Sequence, residues 1–293
     1  MNEFNYYTKQ SYFSDPKIYH HLLSDFPDDV FLICKQIHDL LLHETDVAYY
    51  KLKIHFSRYA ELNARYLHKI LLNIKNIDTL KLNKFRNPEE RALSMCRDFS
   101  LLFCAVLRFK NIPARLRAGF VSYVIPGLYL GAFFAEYYNK KLQRWIMIDP
   151  RTTDAFIDQY HLKIDFDLMD LQFDQFIPAA MAWKLMREKK IDLFRFGVRQ
   201  LRGFRIIRNH LIQDLALLNK REILVWDLWG LMLSDCDQHL EILDQLSDLL
   251  IEEKNHVEKI WHFYNQYDFL KLPEMVFVDN PFLMAQWMRI NNN

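Results

Sequence analysis

Glycine and proline are scarce in this chain, six and nine among 293 residues. That scarcity argues against a long disordered linker. Cysteine is sparse as well: Cys34, Cys96, Cys104 and Cys236 are scattered, with no C-x-x-C or H-x-x-x-H spacing of the kind that holds a metal. Three of the four sit among apolar neighbours, where buried thiols are common. Such a count excludes a disulfide scaffold and suits a reducing compartment. No apolar run approaches the ~20 residues that span a bilayer. The first ten residues, MNEFNYYTKQ, lack the basic-then-apolar pattern of a secretory signal. A net charge of +1 gives no global attraction to nucleic acid or lipid. No Walker-type or GxGxxG loop, internal repeat or low-complexity segment is present. These absences lead us to expect a cytoplasmic protein with no metal, cofactor, membrane or nucleic-acid partner.

What the chain has is core-forming material: 51% hydrophobic and 15% aromatic residues. Residues 16–76 read as helices. Asp15-Pro16 resembles an N-cap followed by proline at the first helical position. Asp28-Asp29 precedes VFLICKQIHDLLLH, in which Val30, Leu32, Ile33, Ile37, Leu40 and Leu41 keep helical spacing. Residues 114–150 have strand character, rich in aromatic and β-branched residues over 116–121, 133–138 and 145–148, with a hairpin loop at 139–143. Helical patterns return over 173–188, 198–218, 240–252 and 256–264. The expected fold is α+β in a single domain over 1–293, made of a helical part (1–86), a core (87–154) and a second helical part (155–293).

Chemistry concentrates at residues 95–120, MCRDFSLLFCAVLRFKNIPARLRAGF. Leu101, Leu102, Ala105, Val106 and Phe109 mark a buried amphipathic helix. Asp98 complements the positive end of its dipole, and Asn111 with Pro113 ends it. Cys96 falls at the helix N-terminus, where a thiolate is stabilised. Arg195, Arg199, Arg202, Arg205 and Arg208 recur at near-helical spacing, although Gly197 and Gly203 interrupt them. A solvated, ion-paired face is the expectation there, with an anion-binding face as the alternative.

Cys96-Arg97-Asp98-Phe99, the long helix and Ile112-Pro113-Ala114-Arg115 resemble the nucleophile segment of the transglutaminase-like family. Residues 131–138, GAFFAEYY, and 144–150, RWIMIDP, resemble its next two catalytic strands. Between about residues 15 and 273 the order of segments resembles bacterial transglutaminase-like domain-containing proteins. The resemblance implies a transglutaminase-like or papain-like core, a nucleophile helix packed on a small antiparallel sheet with helical additions on both flanks. It implies a thiolate at Cys96 attacking an amide carbonyl, and Asp149 as the orienting carboxylate. The histidine that completes the family's triad falls at residue 132, which is alanine, and the tryptophan beside it becomes Phe133. Arg97, Asp98, Phe133 and Glu136 would line the cleft. The reading that follows is a protein with an incomplete triad that binds a peptide, amide or amine. The alternative is an active acyl transferase or amide hydrolase whose base comes from another segment. His161 is the first candidate for that base; His55 and His210 are others.

Overall fold

The computed structural model describes residues 2–79, 81–234, 238–252 and 257–290. In chain order it contains α1 (Glu3–Thr8), α2 (Val30–Leu40), β1 (Leu41–His43), α3 (Asp46–Tyr49) and α4 (Leu67–Ile77). β2 (Ala92–Ser94), α5 (Cys96–Phe109), β3 (Ala114–Val121), β4 (Tyr129–Asn139), β5 (Arg144–Ile148) and α6 (Asp154–Gln159) follow. Then come β6 (Phe176–Pro178), α7 (Ala179–Arg187), β7 (Phe196–Val198), β8 (Leu201–Arg202) and α8 (Phe204–Leu218). β9 (Asp227–Leu228), α9 (Leu240–Ile251), α10 (Val257–Gln266), β10 (Met275–Val278) and β11 (Gln286–Arg289) complete the chain. The fold is α+β. Among the described residues, no helix is long and apolar enough to cross a membrane.

Two compact units share the chain and interleave in sequence: residues 4–115 with 134–171, and residues 1–3 with 116–133 and 172–293. The first is built on α5, which we call the cysteine unit. Every residue from Arg97 to Arg108 is buried, so this helix is covered all round rather than along one stripe. Its polar members are tied down. Arg108 donates to the carbonyl of Ala114 (2.9 Å) and to Ser14 Oγ (2.9 Å). α2 packs against α5 and is capped by Asp29, whose carboxylate accepts the Leu32 N–H at 2.9 Å. β1 and β2 form a parallel pair in which His43 stands opposite Ser94.

The second unit is built on α8, buried from Ile206 to Leu218. α7 packs on α8 and α9; fully buried Trp183 donates its indole N–H to Asp244 (2.7 Å), and Ser247 donates to the Ala180 carbonyl (2.8 Å). β9, β10 and β11 form a small sheet of their own. The largest sheet has the order β6-β3-β4-β7-β8, with β5 on β4.

Several expected helices differ from those found. Residues 41–43 leave the α2 pattern as β1, because pairing with β2 satisfies their backbone while Leu41 and Leu42 stay buried. Within the 16–76 region read as helices, Phe56–Asn63 is a 3-10 turn and α4 begins only at Leu67. The expected helix 173–188 begins later, at Ala179, after β6. The expected helix 198–218 starts only at Phe204: β7 and β8 form a hairpin, and Gly203 at φ +98° turns the chain into α8. The arginine series therefore does not occupy one helix. Arg195 donates to the Gly127 carbonyl (2.7 Å), Arg202 to the Arg199 carbonyl (2.6 Å), and buried Arg208 to the Ser234 carbonyl (2.8 Å). The helix at the 240–252 pattern is α9. Position 256, where the last pattern begins, lies outside the described residues, and α10 accounts for the rest. The strands expected within 114–150 and the hairpin at 139–143 are present.

Candidate active site

β2 delivers the chain directly into α5, and Cys96 is the first residue of that helix. Three devices hold this start. The Met95 N–H donates to Asp98 Oδ2 (2.9 Å), closing the first turn. Asp98 Oδ1 accepts from Arg97 Nη1 (2.9 Å). Arg97 in turn donates to the carbonyls of Ala64 (3.2 Å) and Arg65. Both side chains are buried, and burial raises the Asp98 pKa against the opposing pull of Arg97. Arg97 and Asp98, expected in the cleft, thus brace the helix entrance. Cys96 itself is half-buried, whereas Cys34 and Cys104 are fully enclosed. Cys236 lies outside the described residues.

Asp149 follows β5. Its Oδ1 accepts the Arg151 N–H (2.9 Å) and its Oδ2 accepts the Thr152 hydroxyl, while its own N–H donates to the Leu168 carbonyl (3.3 Å). This is the hydrogen-bonding pattern of an Asx turn. Glu136 on β4 pairs with Arg115 at 2.6 Å, and the Arg115 guanidinium lies 4.0 Å from the Trp145 ring centroid.

His161 is exposed, in a left-handed conformation (φ +50°) just beyond α6, its N–H donating to the Asp158 carbonyl (3.1 Å). His55 caps the 3-10 turn that follows it, its ring Nδ1 near the Ser57 hydroxyl (2.8 Å). Two other histidines reach the first turn of α5. The rings of His38, on α2, and His43, on β1, each lie 6.3 Å from the ring of Phe99. His38 Nε2 is 2.9 Å from the Pro150 carbonyl oxygen. Burial depresses its pKa to about 4, so the ring is neutral near neutrality. His43 Nδ1 lies 2.9 Å from the Thr45 hydroxyl oxygen, whose proton goes to Asp46 Oδ1 at 3.2 Å. Neither residue stands out in sequence, since each sits within or just after an apolar helical pattern.

Ala132 and Phe133 belong to the α8 unit. A Cβ on Gly131 would meet His210 Cε1 and Val198 Cγ2, each at 2.7 Å. Phe133, on the same strand face, meets the His210 ring edge-on at 6.2 Å and is buried. Ala132 therefore points to the opposite face of β4 from His210. His210 stacks on Phe120 (4.7 Å), and its Nδ1 lies 3.0 Å from the Ile206 carbonyl. Burial lowers its pKa to about 4. Among the described residues, no group of three or more His, Cys, Asp or Glu side chains could hold a metal ion.

No protein-family model matches this chain, and no curated protein matches it. Among solved structures it is similar to one described as a "Putative Cysteine Protease from Cytophaga hutchinsonii", at 15% identity and a TM-score of 0.35. The likeness covers 51% of this chain and 42% of that one, less than half of the other protein's length.

Proposed function

We propose that this is a thiol-centred protein of transglutaminase-like type that binds a peptide, amide or amine group at Cys96 and turns it over poorly. The observation that most supports this reading is residue 132, where the resemblance calls for an imidazole: it is alanine and cannot move a proton. Asp149 accepts hydrogen bonds from the Arg151 N–H and the Thr152 hydroxyl of its own turn. Thiol attack on an amide needs a base for the thiol and an acid for the leaving amine. Loss of such a group costs ~10²–10⁴-fold. Binding does not carry the same requirement. Cys96 is half-buried at the N-terminus of a 14-residue helix, whose dipole favours a carbonyl oxygen or a thiolate. The thiols Cys34, Cys96 and Cys104 support a cytoplasmic setting.

The test is a pair of assays on the full chain, amine incorporation into a glutaminyl peptide and hydrolysis of the same amide. The expected result is turnover no faster than that of a Cys96→Ser variant, with binding of the peptide retained. Robust turnover abolished by Cys96→Ser overturns the proposal. It would favour the second reading, an active acyl transferase or amide hydrolase with a base from another segment. His38 and His43, in the same unit as Cys96 and both against Phe99, are the observation that supports that alternative.

A further inference from the structure

We infer that the β7–β8 hairpin of the α8 unit is a contact surface for an anionic phospholipid membrane, with arginines on the lipid phosphates and two apolar side chains among the headgroups. The inference is independent of the thiol site, since every residue it uses belongs to the other unit.

Charge is the first support. The whole chain carries +1, yet residues 187–205 hold seven Lys or Arg and two acidic residues, a local excess of +5. Part of it is cancelled: Arg187 pairs with Asp244 (2.9 Å) and Lys190 with Glu188 (2.6 Å). Two arginines of the hairpin are held differently. Arg195 donates to the Gly127 carbonyl (2.7 Å). Arg202, laid across Gly197, donates to the carbonyls of Arg199 (2.6 Å) and Leu201 (2.9 Å). A carbonyl satisfies a donor without cancelling its charge, and a guanidinium has further N–H groups to give. Asp192, the acid that precedes them, accepts the Phe194 N–H at Oδ1 (3.0 Å).

The apolar side chains are the second. Arg199 and Gln200 form a two-residue turn, with Arg199 at φ +52°, and Leu201 follows it 64% exposed. Phe194 is 66% exposed, and its ring reaches the far end of the same strand: a Cβ on Gly203 would meet Phe194 Cε1 at 3.5 Å. Two large apolar groups thus flank β8 beside the arginines. Water disfavours that arrangement, whereas a headgroup boundary buries the apolar tips while guanidinium groups meet phosphate.

A single-stranded nucleic acid is the rival polyanion, and it uses aromatic faces on which successive bases stack. The rings beneath the arginines are already in use. Tyr129 lies under Arg195 (4.9 Å) and stacks on Phe196 (4.8 Å), and Arg199 lies over Phe282 (4.8 Å). Leu201 has no π-face to offer.

The experiment is co-sedimentation of the full chain with phosphatidylcholine vesicles, with and without phosphatidylserine. We expect binding only where phosphatidylserine is present, falling as salt rises. Arg199→Asn suits the left-handed turn and should weaken binding about fivefold. Phe194→Ser combined with Leu201→Ser, both at exposed positions, should weaken it about tenfold or more. No binding of the parent, equal binding to the two vesicle types, or unchanged binding in either variant overturns the inference. So does a single-stranded RNA oligonucleotide that binds the parent and displaces it from the vesicles. If the double variant does not fold, hydrogen exchange of the parent decides: phosphatidylserine vesicles should slow exchange over residues 194–202, and unchanged exchange there overturns the inference.

Discussion

Asp214 on α8, wholly shielded from solvent, accepts hydrogen bonds from Arg117 on β3, from Nε to Oδ1 at 3.0 Å and to Oδ2 at 3.3 Å and from Nη2 to Oδ2 at 2.9 Å. The Ala118 N–H adds another at 2.8 Å to Oδ1. This fork joins helix to strand within the α8 unit. Removing one partner of a buried pair leaves the other charge uncompensated. Asp214→Ala should therefore cost about 3–5 kcal/mol in denaturant unfolding. A change below about 1 kcal/mol would mean that the pair contributes little.

Asp98 has two tasks at the cysteine helix, accepting the Met95 N–H and facing buried Arg97. Asp98→Asn keeps an acceptor for Met95 and should cost less than Asp98→Ala, which we expect to lose about 3 kcal/mol. Thermal denaturation of the two variants side by side checks the order. Equal losses would show that the charge, not the cap, decides.

Gly131 is required by the ring beside it. A methyl group there would press on His210 and on Val198, and His210 is sandwiched between Phe120 and the Ile206 carbonyl. Gly131→Ala should cost about 1–3 kcal/mol as an overpacked position. Adding His210→Ala should recover part of that loss, because the two side chains compete for one space. Additive losses in the double variant would argue against the steric cause.

His210 also makes a pH prediction. Burial lowers its folded pKa from 6.5 to about 4. Between those values the unfolded chain binds a proton that the folded chain refuses, so stability rises with pH across the window. The contribution is lost as pH falls from 6.5 to about 4 and levels off below. It amounts to about 3 kcal/mol. His210→Gln should flatten the stability profile by that amount in urea titrations between those pH values. Parallel profiles for the parent and the variant would exclude His210 as the source.

Local chemistry was legible wherever the residue itself carries the signal. Asp29 before an apolar helical pattern caps α2, and Asn111, in the left-handed region at φ +60°, followed by Pro113, ends α5. The aromatic and β-branched runs around 116–148 form strands because such side chains suit a pleated surface. The 198–218 stretch misled for a physical reason. Its apolar spacing fits a helix, but Gly197 takes a strand position that Arg202 covers, and Gly203 adopts a φ that other residues disfavour. Leu41 and Leu42 also continue a helical pattern, and only their partner strand, some fifty residues away, draws them into a sheet.

The sequence by itself determined the composition of the core, the start and end of the cysteine helix, and the absence of an imidazole at position 132. Those properties depend on neighbours a few residues apart, which a single chain spells out. Only the tertiary structure decided which histidines stand against Phe99 and what the Asp149 oxygens accept from. It alone gave Arg97 its buried place beside Asp98. Such pairings join segments tens of residues apart, and helical spacing carries no information about which remote side chain will fill a given space.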